Sequence, residues 1–348
     1  MPEVILTAGG VRYGGWTEIE VRRGMEQIAG TFQLSVTERW AGQKEMWPIR
    51  QGEACTLTAE GVTLINGYVD EVLPFFDDKT HGVTVVGRDK TGDLVDCSAI
   101  AKTGEWQGRN LLQIAADIAA PFKIKVSAEV PVGAVFPSFA LQNGETAFEA
   151  LERAARMRGL LLMSDAGGDL VITRAGQQRV STPLIQGENI LSGRATFSLR
   201  DRYSVYSCTG QAPGSDFSTA EQNAQVESKP ATDAAVKRYR PLIVLAEGAS
   251  DTKGLTYRAV WEAAVRMGRS ARPAFTVQGW QHAAGLWLPN RRVSVVCPYL
   301  YLDQQLLIVA VIYRLNDQGT IAELELCRPE AFALQPVPQS LATEDIWS

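Results

Sequence analysis

One stretch constrains this chain more than any other. Asn290 to Arg328 spells three successive antiparallel strands, and the same pattern returns, weaker, near the N-terminus. Val293 and Val295 alternate with polar neighbours, Leu306 to Ile312 is a continuous apolar run, and Ala322, Leu324 and Leu326 alternate with Glu323 and Glu325. Asn316-Asp317-Gln318-Gly319 supplies the turn between the second and third strands. In Gly52 to Asp89 a strand around Cys55 to Thr58 is followed by one from Val62 to Val72, a loop at Asp77-Asp78, and a third strand at Val83 to Val86. Order and spacing match although identity is slight, so the chain is expected to carry one β unit twice.

The rest of the chain fits around that duplication. Its 348 residues exceed one ordinary core, and an apolar content of 45% is ample to fill two or more. Glu18 to Arg22 and Thr31 to Thr37 alternate through Ile19, Val21, Phe32, Leu34 and Val36, which adds two half-buried strands to the first unit. Residues 1–95 are thus expected to form a first tube-like β-barrel, punctuated by Gly9-Gly10, Gly14-Gly15 and Trp47-Pro48. Residues 96–184 change texture into an α+β domain. Leu111, Ala115 and Ile118 have helical spacing before Pro121, and Thr146-Ala-Phe-Glu149 is a capping box for a helix that ends at Gly159. Short strands are expected at Lys123 to Val126, Leu160 to Met163 and Leu170 to Thr173, the last two joined by Asp165-Ala-Gly-Gly168.

Residues 185–210 and 273–333 are expected to build the second tube-like barrel, with Phe197 and Leu199 alternating inward and Arg202 to Thr209 as the paired strand. Residues 211–272 interrupt it with a polar loop, a basic cluster at Lys237, Arg238 and Arg240, and a helix from about Thr252 to Gly268. That helix carries Tyr257, Trp261, Ala264 and Val265 on one face. Residues 334–348 read as a flexible tail. The fold class is therefore mainly β with α+β insertions: two antiparallel barrels related by internal duplication, plus small α+β domains.

Chemistry is sparse. His81 in a hairpin loop and His282 beside Trp280 stand apart from any HExxH pattern or carboxylate cluster. No GxSxG, Walker loop or GxGxxG occurs. Asp77-Asp78 with Asp70 or Glu71 resembles a glycosidase carboxylate pair only in composition, and a hairpin turn accounts for it equally well in chemistry and better in position. Cys55, Cys97, Cys208, Cys297 and Cys327 lie far apart without a CxxC pair, so buried reduced thiols are expected. No catalytic, cofactor-binding or metal-binding residue is assigned, and no cofactor is expected. Arg22-Arg23, Lys237-Arg238 with Arg240, and Arg291-Arg292, with aromatic neighbours Tyr239, Trp280 and Trp287, allow a nucleic-acid reading or a solvated or intersubunit face. A net charge of −5 argues against a surface devoted to nucleic acid. Trp261, Tyr299, Tyr301 and Tyr313 can be core or interface. No apolar run suits a membrane span, and Met1 to Gly10 lacks the marks of a secretory signal, so synthesis into a cytoplasm is expected.

Three stretches carry a family resemblance: Gly14 to Trp40, Phe139 to Arg174, and Tyr257 to Phe332 with GLWLPNRRVSVVCP and CRPEAF inside it. Together they resemble the baseplate hub proteins of contractile phage tails, closest to the Mu-like tail protein group, and more distantly the hub part of type VI secretion spike proteins. The resemblance covers nearly the whole chain, and its motifs are structural. It implies a homotrimer whose six barrels form a ring between a three-fold central spike and a six-fold tail tube, in contact with other baseplate proteins. It further implies a channel that DNA crosses without specific binding, and a place in the virion tail baseplate after assembly in the host cytoplasm. Two other classes stay open from the residues alone. One is a tail-associated cell-wall hydrolase; the other is a host saccharide-binding module using Trp280 and Trp287.

Overall fold

In the computed structural model, which describes residues 3–37, 49–78, 81–101, 103–211, 225–246, 251–317 and 319–334, alternation along the sequence becomes strands with one face in a core. The first repeat contains β1 (Val4–Ala8), β2 (Val11–Tyr13), β3 (Glu18–Gly24), β4 (Thr31–Thr37), β5 (Ala54–Ala59), β6 (Val62–Phe76) and β7 (His81–Asp89). They are hydrogen-bonded in the order β3-β4-β7-β6-β5-β1-β2, antiparallel throughout. Ile19, Val21, Phe32, Leu34, Leu57, Leu64 and Val85 fill the core beneath them. Where β6 crosses β7 the backbones come too close for any side chain: a Cβ on Gly67 would lie 1.9 Å from the carbonyl oxygen of Arg88. Trp47-Pro48 falls outside the described residues.

The α+β region follows as α1 (Gly92–Asp96), β8 (Glu105–Arg109), α2 (Leu111–Ala119), β9 (Val126–Ala128), β10 (Phe136–Ala140), α3 (Ala147–Arg158), β11 (Leu161–Ser164) and β12 (Leu170–Thr173). The capping box of α3 is realised in both directions, Glu149 N–H donating to Thr146 Oγ1 at 3.1 Å and Thr146 N–H to Glu149 at 2.8 Å. A second box, Asn110 with Gln113, opens α2. Lys123, expected to begin a strand, instead closes a 3-10 turn in the left-handed conformation (φ +57°), because Pro121 ends α2 in that turn. The strand starts later, at Val126.

Beyond β13 (Gln178–Arg179) and β14 (Leu184–Ile185) the chain enters β15 (Ile190–Phe197) and then a separate compact unit made of residues 156–159, 195–273 and 327 onward. This unit holds β16 (Val205–Gln211), β17 (Gln225–Glu227), β18 (Ala231–Thr232), β19 (Pro241–Leu245) and α4 (Thr252–Arg269). Arg202 to Thr209 is therefore not the partner of the strand before it. As β16 it lies at the centre of a four-stranded sheet, between β17 and β18 on one side and parallel β19 on the other. The reason is that α4 covers this sheet with Leu255 and Ala259 against Tyr206 and Cys208, which gives it a small core of its own. The buried stripe of α4 is Leu255, Ala259, Glu262 and Val265, while Tyr257, expected inside, is 64% exposed.

The main sheet resumes with β20 (Ala271–Gln278), then β21 (Gln281–His282), β22 (Gly285–Leu286), β23 (Arg291–Cys297), β24 (Leu302–Asn316) and β25 (Gly319–Cys327). Strands β24 and β25 are hydrogen-bonded neighbours, as expected of the two runs on either side of Asn316 to Gly319; Gly319 stands at φ +111°, and Gln318 lies outside the described residues. The second repeat runs β15-β20-β25-β24, with β23 along β24. Position by position this reproduces β3-β4-β7-β6-β5, and the long strands β6 and β24 both span 15 residues. The two repeats are joined because β24, past the end of β23, pairs with β3 from Ala310↔Gly24 to Leu315↔Ile19. The result is one continuous ladder through both repeats, of the mainly antiparallel β class expected. Phe197 and Leu199, expected to point inward, are 57% and 43% exposed.

Candidate functional site

The residues that could carry chemistry are scattered and engaged elsewhere. His81 opens β7 on the surface, and the His282 ring packs tilted by 53° against Trp287 at 4.8 Å between ring centroids. Burial lowers the His282 pKa. Asp77 and Asp78 are exposed beyond the end of β6. Asp70 is bound to Arg88 Nε at 2.7 Å, and the same guanidinium holds Asp96 at 2.6 Å, which keeps the Asp96 carboxyl below its usual range. These carboxylates are partners of an arginine, not of one another. Among the described residues no group of three or more His, Cys, Asp and Glu could hold a metal ion.

Cys55, Cys208, Cys297 and Cys327 are buried free thiols; Cys97, at the end of α1, is exposed instead. Burial raises the Cys55 pKa to about 12, so this thiol is not a nucleophile at neutral pH. A cavity of about 390 Å³ in the α4 unit is lined by Arg202, Trp261, Glu262, Arg266 and Arg269. Arg202 is paired with Asp233 at 2.7 Å and Arg266 with Glu262 at 3.2 Å, while Arg269 donates to the Ala331 carbonyl at 3.2 Å.

Several arginines of the basic clusters are committed within the fold. Arg22 forms a two-point ion pair with Glu325 (2.9 and 3.1 Å), Arg23 is buried and donates to the Ser164 carbonyl, and Arg240 donates to the carbonyls of Arg200 and Arg202 while lying over Tyr203. Lys237, Arg238 and Tyr239 remain exposed. Trp280, Trp287 and Tyr313 are core. The Trp280 indole donates to the Arg314 carbonyl at 3.0 Å, and the Tyr313 hydroxyl donates to the Trp287 carbonyl. The saccharide-binding candidates Trp280 and Trp287 are thus 4% and 2% exposed and present no face to a sugar. Tyr299 and Tyr301 are exposed.

What the fold does concentrate is polar residues at joints between strands. Where β24 meets β3, Arg314 reaches Glu20 at 2.9 Å and Glu323 at 2.7 Å, and Arg194 adds a further bond to Glu323. Burial opposes the Glu323 charge, but these hydrogen bonds outweigh it and hold its pKa below the usual carboxylate range. A second joint is centred on Asp89, at the end of β7. Its carboxylate accepts from Gly30 N–H at 2.6 Å, Thr91 N–H at 2.9 Å, the Thr91 hydroxyl, and the Ser164 hydroxyl at 2.7 Å. Burial is the largest influence on it and raises its pKa. Around it Lys90 binds Asp169 at 2.6 Å, and the Asn66 amide donates to the Gly167 carbonyl at 3.0 Å. The β11–β12 hairpin is thereby locked to the first repeat.

Comparison with known proteins meets this geometry segment by segment. Residues 3–89 match the model of the Mu phage baseplate assembly protein GpP-like N-terminal domain, 91–174 that of the second domain of baseplate hub protein gp44-like proteins, and 251–335 that of the fourth domain of Mu phage baseplate assembly protein GpP. The border between the first two falls at the Asp89–Thr91 joint. Baseplate hub protein gp44 of Escherichia phage Mu is 36% identical over 343 residues, covering 96% of this chain and 89% of that protein. The 43 kDa tail protein of prophage MuSo2 from Shewanella oneidensis superposes with a TM-score of 0.85 at 36% identity, over 96% of this chain and all of that one. The tail protein of Neisseria meningitidis MC58 shares the fold, with a TM-score of 0.77 at 21% identity over 95% of this chain and 99% of that one. An antiparallel duplication held by structural joints, matched along nearly its whole length at 36% identity, places this chain in the Mu-like family of phage baseplate hub proteins, structural components of the tail baseplate.

Proposed function

We propose that this hub is a symmetry adaptor: a homotrimer whose six β repeats face a six-fold tail tube on one side and a three-fold central spike on the other, around an opening that DNA crosses. The observation that carries this reading is the matched strand order of the two repeats. One chain then offers two quasi-equivalent positions, and three chains offer the six that a six-fold tube requires, whereas dimers give four and hexamers twelve. The work is done by interfaces, so no residue is catalytic. The chain's net charge of −5 suits a passage that must not retain phosphate.

In this reading the partners are the spike protein, the tube or a tube-initiating protein, and neighbouring baseplate proteins. The chain assembles in the host cytoplasm and resides in the virion baseplate without entering a membrane. Among the described residues no helix is long and apolar enough to cross one. Electron cryo-microscopy of intact tails tests the reading. Three copies around the axis next to the spike are expected; two or six copies, or absence of the chain from tails, would overturn it.

A further inference from the structure

Ser164, whose hydroxyl donates to Asp89, also lines a cavity of about 260 Å³ where β3, the start of β6, the β11–β12 hairpin and the segment from Leu286 to Arg291 meet. Its apolar lining is Val62, Val171, Leu286, Leu288 and Pro289, and its cationic lining is Arg23 and Arg291. Arg23 lies on the inward face of β3 with Ile19 and Val21, and is 7% exposed. Its guanidinium makes one hydrogen bond, to the Ser164 carbonyl at 3.2 Å, and its buried Nε has no acceptor. Among the described residues no carboxylate is bound to Arg23 or to Arg291. The acidic groups nearby are engaged elsewhere: Asp165 accepts from the Asp169 N–H at 2.9 Å, and Glu129 from the Thr173 hydroxyl at 2.7 Å. Burial lowers the Arg291 pKa, with Glu129 opposing the shift and Arg23 adding to it. A buried arginine stays charged, and a buried charge without a counter-charge or a full set of acceptors is costly.

We propose that this cavity is a binding site for a singly charged carboxylate on an apolar stem, with the carboxylate on Arg23 and Arg291 and the stem against Val171, Leu286 and Leu288. A guanidinium presents its N–H groups as a fork that matches a carboxylate, and two of them converge on this cavity. The stem follows from the apolar lining, which a free phosphate would leave uncovered. The single charge follows from Glu129 and Asp165, which repel a second one at short range. The lining comes from the first repeat, the β11–β12 hairpin and the second repeat, so the bound acid ties all three together where Lys90–Asp169 and Asn66–Gly167 already join two of them. Two sources supply this chemistry: a free short organic acid, and an acidic side chain of a neighbouring protein. The site does not depend on the adaptor reading.

The probe is butyrate, compared with acetate, which lacks the stem, and with inorganic phosphate, all in chloride buffer at neutral pH. Calorimetry of the purified full chain should show one saturable butyrate site, about 10-fold weaker binding of acetate, and none of phosphate. The melting midpoint should rise with butyrate. Arg291 is half-buried and makes no hydrogen bond that a substitution would break, so Arg291→Gln should keep the fold and weaken butyrate about 10-fold or more. Arg23→Met should abolish the binding; if that variant does not fold, Arg291→Gln decides alone. No butyrate binding, equal binding of phosphate, or binding that the folded variants leave unchanged overturns the proposal. Native mass spectrometry of the chain purified without added acid separates the sources. A free acid co-purifies as a small bound mass that Arg291→Gln loses. A partner's carboxylate leaves the purified chain without that mass, and Arg291→Gln then enters tails about 5-fold less than the wild type or worse. Either result supports the site. A chain purified without the mass, whose Arg291→Gln variant enters tails normally, means binding at assay concentration only and overturns it. Butyrate binding by a chain found in two or six copies per tail sinks the adaptor alone.

Discussion

Asp89 and Glu323 are both buried carboxylates at joints, yet their environments push them in opposite directions, and the pH dependence of stability separates them. Glu323 has a folded pKa below its ordinary value of 4.5, so its contribution is present above that pH and is lost as pH falls through the folded pKa. Asp89 has a folded pKa above its ordinary value of 3.8, so its contribution is complete below that pH and is lost as pH rises through the raised folded pKa. Urea midpoints measured across pH should therefore show part of the acid-side decline missing in Glu323→Gln, and part of a decline above pH 3.8 missing in Asp89→Asn. Asp89→Ala strands the buried amides of Gly30 and Thr91 and should cost about 3 kcal/mol. Glycines divide by space rather than by count. Gly67→Ala forces apart β6 and β7 and should cost about 3 kcal/mol in the same melts, whereas Gly10→Ala, at φ +80° with nothing within 4 Å, should cost about 1 kcal/mol from backbone strain alone. None of these roles was legible in the sequence. Asp89 merely ends an apolar run, and Glu323 reads as a solvent-facing residue in an alternating strand, because the partners that bury them are distant in the chain.

Elements were legible to the extent that their signals were local. The boundaries of β4 and the capping box of α3 depend on residues within a few positions, and both form as the sequence predicts. The buried face of α4 was misread because a helix with aromatics on one side and small residues on another has two plausible inner faces, and the sheet it covers decides between them. The sheet offers Tyr206 and Cys208, which select Leu255 and Ala259. Leu255→Ala should accordingly destabilise the α4 unit by about 3 kcal/mol in thermal unfolding, while Tyr257→Ala should change it by less than about 0.5 kcal/mol. The equal loss of stability in both would mean that the helix packs through the face expected from its aromatics. Strand β16 was misassigned for a related reason: alternation fixes that a segment is a strand, not which sheet receives it.

At the scale of the molecule the duplication was readable from two spaced strand patterns, whereas the joint between the repeats was not, since the β24–β3 pairing joins residues nearly 300 positions apart (Arg314 with Glu20, |i−j| of 294). The same joint determines how assembly should respond to salt. Within the chain it combines buried apolar side chains with the Arg314 pairs to Glu20 and Glu323. The outer half of β6 and strand β15, at edges of the sheet among the described residues, instead present Leu73, Phe75, Phe76 and Leu191. Association through such edges draws on apolar burial, which monovalent salt does not screen, and which sulfate strengthens. Ion pairs between exposed charges, by contrast, weaken as the screening length falls from roughly 10 Å at 0.1 M to 3 Å at 1 M. Light scattering of the purified chain, with and without the spike protein, should therefore give the same assembled mass between about 0.05 and 1 M sodium chloride, and a lower association threshold in ammonium sulfate. DNA should not be retained at about 0.15 M salt, since the arginines at Arg22, Arg202 and Arg314 are committed to carboxylates and a net charge of −5 leaves little to release counterions from phosphate. Dissociation by salt would place the contact on charged faces such as Lys237 and Arg238 rather than on the strand edges.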